Sequence, residues 1–328
     1  TSVFRQSFRA RGLSRIGAIG PLPPAGRAGR IGEAPSWLDE TTDMDVRLLL
    51  DKEMTEGELH PIAHGTAALY SARSPDKQTA NEDAAALVLF DDVAGVLAVA
   101  DGLGGERAGE QASRTALAEL IASIRQADHN EASLRTAILN GFENANRAVA
   151  ALGLGAGTTL AVAEIQGRTV RSYHVGDSMM LVVGQRGKIK LQTISHSPVG
   201  YAVESGLLDA AEAMHHEDRH VISNMVGSAD MRIEMGSTVE LAPRDTLILA
   251  SDGLFDNLRI PEIVDRIRKG SLRRAIAELA EACGRRMHGV EPDEPSKPDD
   301  LTFIIYRLTA PKRATEIVAT RTPLEVAP

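Results

Sequence analysis

Short apolar runs recur through the middle of the chain and are separated by turn-forming glycine, aspartate and asparagine residues. Runs of this length with such ends are typical of buried or half-buried β-strands. The pattern predicts strands at residues 67–71, 83–90, 96–100, 158–165, 169–175, 179–183, 246–251 and 301–306. So many strands in one chain indicate a protein that is built on sheets.

Three segments instead repeat their apolar positions every three or four residues, which predicts amphipathic helices. These positions are Ala112, Ala116, Leu120 and Ile124; Leu134, Ile138, Phe142, Ala145 and Val149; and Leu272, Ile276, Leu279 and Cys283. Along the chain, strands are followed by two helices, a run of strands, and further helices before the last strand. This order favours an α+β fold, in which helices cover antiparallel sheets, over strict alternation of strand and helix.

Composition divides the chain into three parts. Residues 1–58 are expected to form a largely disordered N-terminal arm, because its Arg-, Pro- and Gly-rich start cannot bury a core. A folded catalytic domain is predicted at residues 59–309, and a C-terminal tail at 310–328. An Arg-rich, acid-poor start also resembles an organelle transit peptide, so targeting by the arm stays open beside the simpler reading as a flexible tail.

The formal charge of −9 at pH 7 and the aromatic content of 3% argue against a nucleic-acid-binding protein. Apolar stretches in the sequence are too short for a membrane span, and we expect a cytoplasmic protein. Cys283 is the only cysteine, which excludes an intramolecular disulfide and a thiolate zinc cluster. We expect its side chain to be a small apolar filler on a helix.

Two Asp-Gly steps each follow an apolar strand directly, at Asp101-Gly102 and at Asp252-Gly253. A glycine in this position lets the backbone turn sharply, so that the preceding carboxylate lies at the rim of the sheet. The same dipeptide more often forms a hairpin turn. Here an alternating strand does not follow at once, because Gly102 leads into a helix and Gly253 leads toward Pro261. We therefore interpret both aspartates as candidate site residues.

Further acidic residues precede two predicted strands, as Asn81-Glu82-Asp83 and as Asp299-Asp300. If these strands are neighbours, four carboxylates meet at one edge and their like charges repel. Hard divalent cations remove this repulsion, and oxygen-only ligation suits Mg²⁺ or Mn²⁺ rather than zinc. Two such ions about 3.5–4 Å apart can deprotonate a bridging water and polarise a phosphoryl oxygen, which is the chemistry of phosphate-ester hydrolysis.

A series of short motifs occurs in order between residues 65 and 308. The motifs are Asn81-Glu82-Asp83, Asp101-Gly102-Leu103-Gly104-Gly105, Gly157-Thr158-Thr159-Leu160, Val175-Gly176-Asp177-Ser178, Ser205-Gly206-Leu207-Leu208, Val221 to Gly227, Ser251-Asp252-Gly253-Leu254-Phe255-Asp256 and Pro298-Asp299-Asp300-Leu301. Together they resemble the ordered motif set of the metal-dependent serine/threonine protein phosphatases of type 2C (PPM). Each motif alone is loose, whereas their order and spacing together are highly specific.

This resemblance implies two antiparallel β-sheets packed as a sandwich and flanked by helices, with a binuclear Mn²⁺/Mg²⁺ centre at one end. It implies hydrolysis of phosphoserine and phosphothreonine in proteins by metal-activated water, opposing a serine/threonine kinase. The catalytic residues and metal ligands that it implies are Asp83, Asp101, Asp252 and Asp299, together with the Gly102 carbonyl and a water held by Glu82. A weaker third metal site is implied at Asp177, Asp252 and Asp256.

Residues 201–224 resemble the flap over the active site of this family, which is a natural place for substrate selection. The segment contains His215, His216 and His220. We interpret these histidines as solvated loop residues and not as a zinc site, because a clear carboxylate or thiol partner does not accompany them.

Two of the departures from the family pattern bear directly on the chemistry. Gln78 stands where family members commonly have an arginine that grips the substrate phosphate, and the adjacent Lys77 is the candidate to compensate with a point charge. Leu103 stands where animal members have a histidine thought to act as general acid, so a metal-bound water would protonate the leaving alkoxide. An active enzyme is expected, because each central ligand position holds an aspartate. A catalytically silent module that binds a phosphoprotein is the alternative, which Gln78 encourages.

Overall fold

The computed structural model describes residues 45–104, 107–127, 131–153 and 155–309. In these residues two antiparallel β-sheets pack face to face, and helices cover their outer faces. Helices and antiparallel strands are segregated along the chain. The α+β sandwich expected from the sequence is therefore confirmed.

Consecutive groups of strands belong in turn to one sheet and then to the other along the chain. The strands are β1 (Val46–Leu50), β2 (Glu58–Ile62), β3 (Gly65–Ala72), β4 (Asp83–Leu89), β5 (Ala94–Leu103), β6 (Gly157–Thr158), β7 (Leu160–Gln166), β8 (Thr169–Val175), β9 (Met179–Val183), β10 (Ile189–Gln192), β11 (Glu234–Met235), β12 (Val239–Glu240), β13 (Thr246–Ala250) and β14 (Leu301–Leu308). The first sheet has the order β1-β4-β5-β7-β8-β11, with β6 paired to β5 and β12 paired to β8. The second sheet has the order β10-β9-β13-β14-β3-β2.

The core between the sheets takes alternate residues from the strands of both. Leu97 and Val99 of β5 and Leu247 and Leu249 of β13 point into this core and are fully buried. The intervening Ile248 points to the opposite face of its sheet, where it packs with the helices. Because the central strands are covered on both faces, their sequences are continuous apolar runs.

The helices are α1 (Arg107–Arg125), α2 (Glu131–Ala151), α3 (Pro198–Glu204), α4 (Ala210–Ala213), α5 (Asp252–Phe255), α6 (Ile260–Ile267) and α7 (Leu272–Met287). Helices α1 and α2 form a pair on the first sheet, and α5, α6 and α7 pack on the second. Helix α1 packs on β4, β5 and α2, and α7 packs on β3 and β14. Cys283 is buried in α7, where burial raises the pKa of its thiol to about 12, so the expected inert filler is confirmed. Among the described helices, none has the length and apolarity to cross a membrane.

The predicted strands and helices all occur in the expected places, but several elements and one boundary were missed. The missed elements are β1, β2, β10, β11, β12, α3, α4, α5 and α6. The boundary at residue 59 is wrong, because β1 pairs with β4 over its whole length and β2 begins at Glu58. The side chain of Leu49 is buried in the core between the sheets, so β1 belongs to the folded domain. Residues 1–44 of the arm and the tail 310–328 lie outside the described residues.

Candidate metal centre

The centre begins at one end of the hairpin formed by β4 and β5. Their antiparallel register sets Asp83 opposite Asp101, and residues opposite each other point to the same face. Asp83 is buried and Asp101 is partly exposed. The backbone of Asp101 is fixed by Thr159, which accepts the Asp101 N–H on its Oγ1 at 2.9 Å and donates its own N–H to the Asp101 carbonyl at 2.8 Å.

A third carboxylate comes from the second sheet, where β13 ends and α5 begins. Ser251 precedes α5, and Asp252 is the first residue of that helix. The Ser251 hydroxyl donates to Asp83 Oδ2 at 2.7 Å, which ties the end of β13 to the start of β4. A Cβ on Gly253 would lie 2.0 Å from the Asp300 carbonyl oxygen, so only glycine allows the turn to pack against the strand that follows Asp300. The two sheets thus bring Asp252 beside Asp83.

Two successive aspartates precede β14 and have different surroundings. Asp300 is buried, and its carboxylate accepts the backbone N–H groups of Ser74 at 2.8 Å and Glu82 at 2.7 Å. About a third of the Asp299 side chain is exposed, and its carboxylate faces Asp252. Burial of Asp299, followed by the charge of Asp252, raises the pKa of Asp299 to about 7. Asp299 therefore belongs to the cluster, whereas Asp300 holds the preceding loop in place.

Asp177 and Asp256 complete the group. Asp177 lies in the loop after β8 and is buried, and Asp256 lies one helical turn after Asp252. Burial and then the charge of Asp252 raise the pKa of Asp177 well above its ordinary value. The same two causes raise the pKa of Asp256 to about 6. The candidate third metal position thus adjoins the central one, since Asp252 acts on the residues of both.

The central carboxylates also raise one another's pKa values. Burial, followed by the charge of Asp300, raises the pKa of Asp83 well above its ordinary value. Burial, followed by the charges of Asp83, Asp252 and Asp299, does the same to Asp101. Carboxylates that are held together in this way disfavour their own ionised forms. A cation among them removes this cost.

Several of these side chains carry a buried oxygen that has no hydrogen-bond partner among the described residues. The oxygens are Glu82 Oε1, Asp83 Oδ1, Asp177 Oδ1 and Asp252 Oδ1. A buried carboxylate oxygen without a hydrogen-bond partner costs folding free energy, and native proteins rarely contain one. Hard divalent cations such as Mg²⁺ and Mn²⁺ take oxygen ligands of this kind. The donor set therefore fits such cations.

Two glycines bring the first turn of α1 directly against the cluster. A Cβ on Gly102 would lie 2.1 Å from the Gly109 carbonyl oxygen, and a Cβ on Gly109 would lie 2.3 Å from Glu82 Oε1. Ser113, in the next turn, donates its hydroxyl to the Glu82 carbonyl at 2.6 Å. Gly109 was not predicted as a site residue, because its role depends on what packs against α1 and its own sequence neighbours carry no signal of it.

A lysine that the motifs do not single out lies within the cluster. The Lys297 ammonium donates to Asp252 Oδ2 and lies 2.9 Å from Asp256 Oδ2 and 3.0 Å from Asp299 Oδ2. Burial lowers the pKa of Lys297, but the three carboxylates raise it by more, so its net pKa is above the ordinary value. Lys297 is therefore a cation at neutral pH. Its position two residues before Asp299 is the one sequence feature that could have drawn attention to it.

The two candidate phosphate-binding residues have different environments. The Lys77 ammonium lies 2.5 Å from Glu82 Oε2 and 2.6 Å from Asp300 Oδ2, so it pairs with two acids at the edge of the centre. Gln78 is exposed, and Leu103 is partly exposed. The fold thus brings Lys77 to the centre and leaves Gln78 at the surface.

A groove with a volume of about 590 Å³ opens beside the centre. Its lining includes Asp177, Asp252 and Asp256, together with residues of α3 and α4. These two helices lie in or next to the segment that was expected to form the flap. Its histidines are solvated as predicted, since His215 and His220 are exposed and His216 is half-buried.

A separate polar cluster, formed by His174, His196 and Glu234, has ligand atoms within 4.8 Å of one another. His196 Nδ1 accepts the Gly176 N–H at 3.1 Å and the Asn224 side-chain amide at 2.9 Å, so the ring proton lies on Nε2, which faces Glu234 at 3.2 Å. The two imidazole rings stack with 23° between their planes, and rings that are nearly parallel cannot both direct a lone pair at one ion. The cluster therefore joins the flap to the loop that carries Asp177 through hydrogen bonds.

Comparison with known proteins agrees with this architecture. The sequence profile of a family described as "Protein phosphatase 2C" matches residues 73–287. Protein phosphatase PhpP of Streptococcus pneumoniae is 32% identical over 177 residues, which are 52% of this chain and 71% of PhpP. The solved Mycobacterium tuberculosis serine/threonine phosphatase PstP/Ppp is 26% identical with a TM-score of 0.60, over 74% of this chain and 98% of that chain. A PstP catalytic domain solved with two manganese ions has 25% identity, a TM-score of 0.58 and the same coverage.

The sandwich fold and its acidic centre define a metal-dependent hydrolase of phosphate esters. The chain belongs to the protein phosphatase 2C family, because the family profile covers most of the folded domain and a relative above 30% identity is matched over most of its length. Its relatives of this family are serine/threonine protein phosphatases, and this chain is an enzyme of that class, with a dependence on divalent metal ions.

Proposed function

We propose that this protein hydrolyses phosphoserine and phosphothreonine in proteins at a centre for two divalent cations, Mn²⁺ or Mg²⁺. The observation that carries the proposal is the convergence of Asp83, Asp101, Asp252 and Asp299, with buried carboxylate oxygens that have no other partner. When bound, such ions supply an activated water as the nucleophile and polarise the phosphoryl oxygen. The two manganese ions in the PstP catalytic domain support this ion count.

Each side chain has a distinct expected role in holding these ions. Asp101 lies at the middle of the group, since the charges of Asp83, Asp252 and Asp299 all act on it, and it is the candidate to contact both ions. The Gly102 carbonyl is a further candidate ligand. Glu82 is expected to hold a bound water through Oε1, because its Oε2 is already paired with Lys77.

A third, weaker cation position is proposed at Asp177, Asp252 and Asp256. Asp177 Oδ1 is buried and without a partner, which supports a cation there. Three carboxylates contribute to this position, and one of them, Asp252, is shared with the centre, to which four aspartates contribute. The third position therefore has less negative charge to offer than the central one. A lower affinity follows from that difference.

The groove beside the centre is the proposed place for residues that flank the phosphorylated serine or threonine. Its lining joins Asp177 and Asp252 to residues of α3 and α4, and Val199, Met214 and Phe255 are among its apolar residues. Leu103 cannot donate a proton, so the leaving alkoxide is expected to take its proton from water. The proposed substrate is a phosphoprotein, which a serine/threonine kinase would produce.

Turnover of a phosphothreonine peptide with MnCl₂ tests this function. We expect release of phosphate by the wild-type chain and a loss of at least about two orders of magnitude in Asp252→Asn, because that change removes a ligand charge from the centre. Asp265→Asn is the matched control: Asp265 is exposed on α6 and pairs only with Arg268 among the described residues, so its activity is expected to stay at the wild-type level. Wild-type protein that binds Mn²⁺ but leaves the peptide phosphorylated would instead make the chain a silent phosphoprotein-binding module.

A further inference from the structure

The position of Lys297 is built by buried contacts, and its side chain is not a surface cation that happens to lie nearby. The Asn257 side chain accepts the Lys297 N–H at 2.9 Å and donates its amide to the Lys297 carbonyl at 2.9 Å. The same amide donates to the Gly253 carbonyl at 2.9 Å, and Asn257 is fully buried. One side chain thus fixes the backbone of Lys297 to the helix that begins with Asp252.

The Lys297 ammonium divides the oxygens of the cluster into two sets. The outer set comprises Asp252 Oδ2, Asp256 Oδ2 and Asp299 Oδ2, which all lie within salt-bridge distance of Nζ. The inner set comprises Asp83 Oδ1 and Asp252 Oδ1, which have no hydrogen-bond partner among the described residues. Asp177 Oδ1 and Asp256 Oδ2 also accept no hydrogen bond there, but they belong to the proposed third position, and Asp256 Oδ2 lies 2.9 Å from Nζ. The inner oxygens are therefore available to a metal ion at once, whereas the outer ones are already taken by a cation.

An ammonium and a divalent ion cannot hold the same carboxylate oxygen at contact distance, because like charges a few ångströms apart repel strongly inside a protein. A metal ion that binds Oδ2 of Asp252 or Asp299 must therefore displace Lys297 from its present position. The other oxygen of Asp299, Oδ1, already accepts the Asp300 N–H at 2.9 Å. In the metal-free protein, Lys297 in turn reduces the repulsion among three carboxylates. The same lysine thus stabilises the metal-free fold and opposes the uptake of one ion.

We propose that Lys297 is an internal cation that competes with a divalent ion for the outer oxygens of Asp252 and Asp299. This inference rests on the proposed metal centre and adds to it an order of binding. The first ion occupies the inner oxygens, and the second binds more weakly because it must displace the ammonium. Lys297 is a positioning residue in this sense, since it acts on the metal ligands.

Calorimetric titration of the metal-free full chain with MnCl₂, together with thermal melting, tests the competition. In Lys297→Met we expect the weaker Mn²⁺ affinity to rise by about tenfold or more, since the variant lacks the competing charge. We also expect the melting temperature of the metal-free variant to fall by several degrees and its gain on adding MnCl₂ to exceed that of the wild type. Lys297→Arg keeps a cation and is expected to leave the weaker affinity closer to the wild-type value.

Lys190→Met is the matched control, because Lys190 pairs with a single acid, Asp245, which is not part of the cluster. It is expected to leave both Mn²⁺ affinities unchanged. Equal Mn²⁺ affinities in the wild type and Lys297→Met overturn the competition, whatever the melting temperature. If the affinities differ as expected but the phosphopeptide is not turned over, the proposed activity fails and the competition stands; a wild type that takes up no Mn²⁺ overturns both.

Discussion

Replacing Asp101 by asparagine is expected to abolish Mn²⁺-dependent turnover and, at the same time, to stabilise the metal-free protein. Metal ions contribute several kcal/mol to the stabilisation of charge in such transition states. Because about 1.4 kcal/mol is a factor of ten in rate, the loss of a central ligand is expected to lower turnover by about 10³-fold or more. The Asp101→Asn side chain keeps the shape of the original and loses its negative charge.

The gain in stability follows from the sign of the pKa shift at Asp101. Burial and neighbouring carboxylates raise its pKa above the ordinary value of 3.8, so the folded state binds its proton more tightly than the unfolded state does. Stability of the metal-free protein is therefore lost as pH rises from that ordinary value through the raised pKa, and the charged form opposes folding above it. An asparagine carries no such charge. Each kcal/mol regained raises the melting temperature by about 2–4 °C in a domain of this size.

Parallel assays of turnover and thermal melting in the absence of metal check this pair of effects. Asp92→Asn is the control, because Asp92 is exposed at the opposite end of the same β4–β5 hairpin. It should change neither quantity measurably. Loss of turnover in Asp101→Asn together with a lower metal-free melting temperature would contradict the account, since it would mean that Asp101 stabilises the fold.

Replacing Gly102 by alanine is expected to cost about 3 kcal/mol or more of folding free energy, which is at or above the upper end for overpacking. The new Cβ would lie 2.1 Å from the carbonyl oxygen and 2.4 Å from the carbonyl carbon of Gly109. Both atoms belong to the backbone of α1, which cannot move as a side-chain tip can. The clash pushes α1 away from the Asp101 turn and from Glu82, so metal affinity is expected to fall with stability.

Urea unfolding of the metal-free protein measures the effect, with Gly284→Ala as the matched control. A Cβ on Gly284 meets no atom within 4 Å, and the residue lies inside α7, where alanine is favoured by about 0.5–1 kcal/mol. The two Gly→Ala changes should therefore shift the unfolding midpoint in opposite directions. A midpoint for Gly102→Ala within error of the wild type would show that α1 does not pack against the turn as described.

The parts of the fold that were predictable are those whose signal is local. Strands covered on both faces, such as β5 and β13, are long apolar runs, and α1, α2 and α7 carry a clear helical period. The edge strand β10 and the short β11 and β12 have largely exposed side chains, so their sequences carry little apolar pattern. Strand β1 was assigned to the arm, because its five residues follow a long polar, Arg-rich stretch and are ordered by pairing with β4.

The same distinction applies to the centre. The ends of apolar strands marked Asp101 and Asp252, and the starts of two others marked Asp83 and Asp299, because an aspartate next to an apolar run is visible in the sequence. The different roles of Asp299 and Asp300 were not predictable, because only Asp300 faces Ser74 and Glu82. Those partners lie more than 200 positions away in the sequence. Lys297 was missed for a similar reason, since its partners on α5 come close only through the pairing of β13 with β14.

Anomalous diffraction from crystals of the wild-type chain soaked in MnCl₂ tests the central claim most directly. The account predicts two manganese peaks about 3.5–4 Å apart, both in contact with Asp101, with Asp83 contacting one of them and Asp299 the other. Peaks on other faces of the molecule, or a single peak away from Asp101 in crystals of an active enzyme, would contradict it.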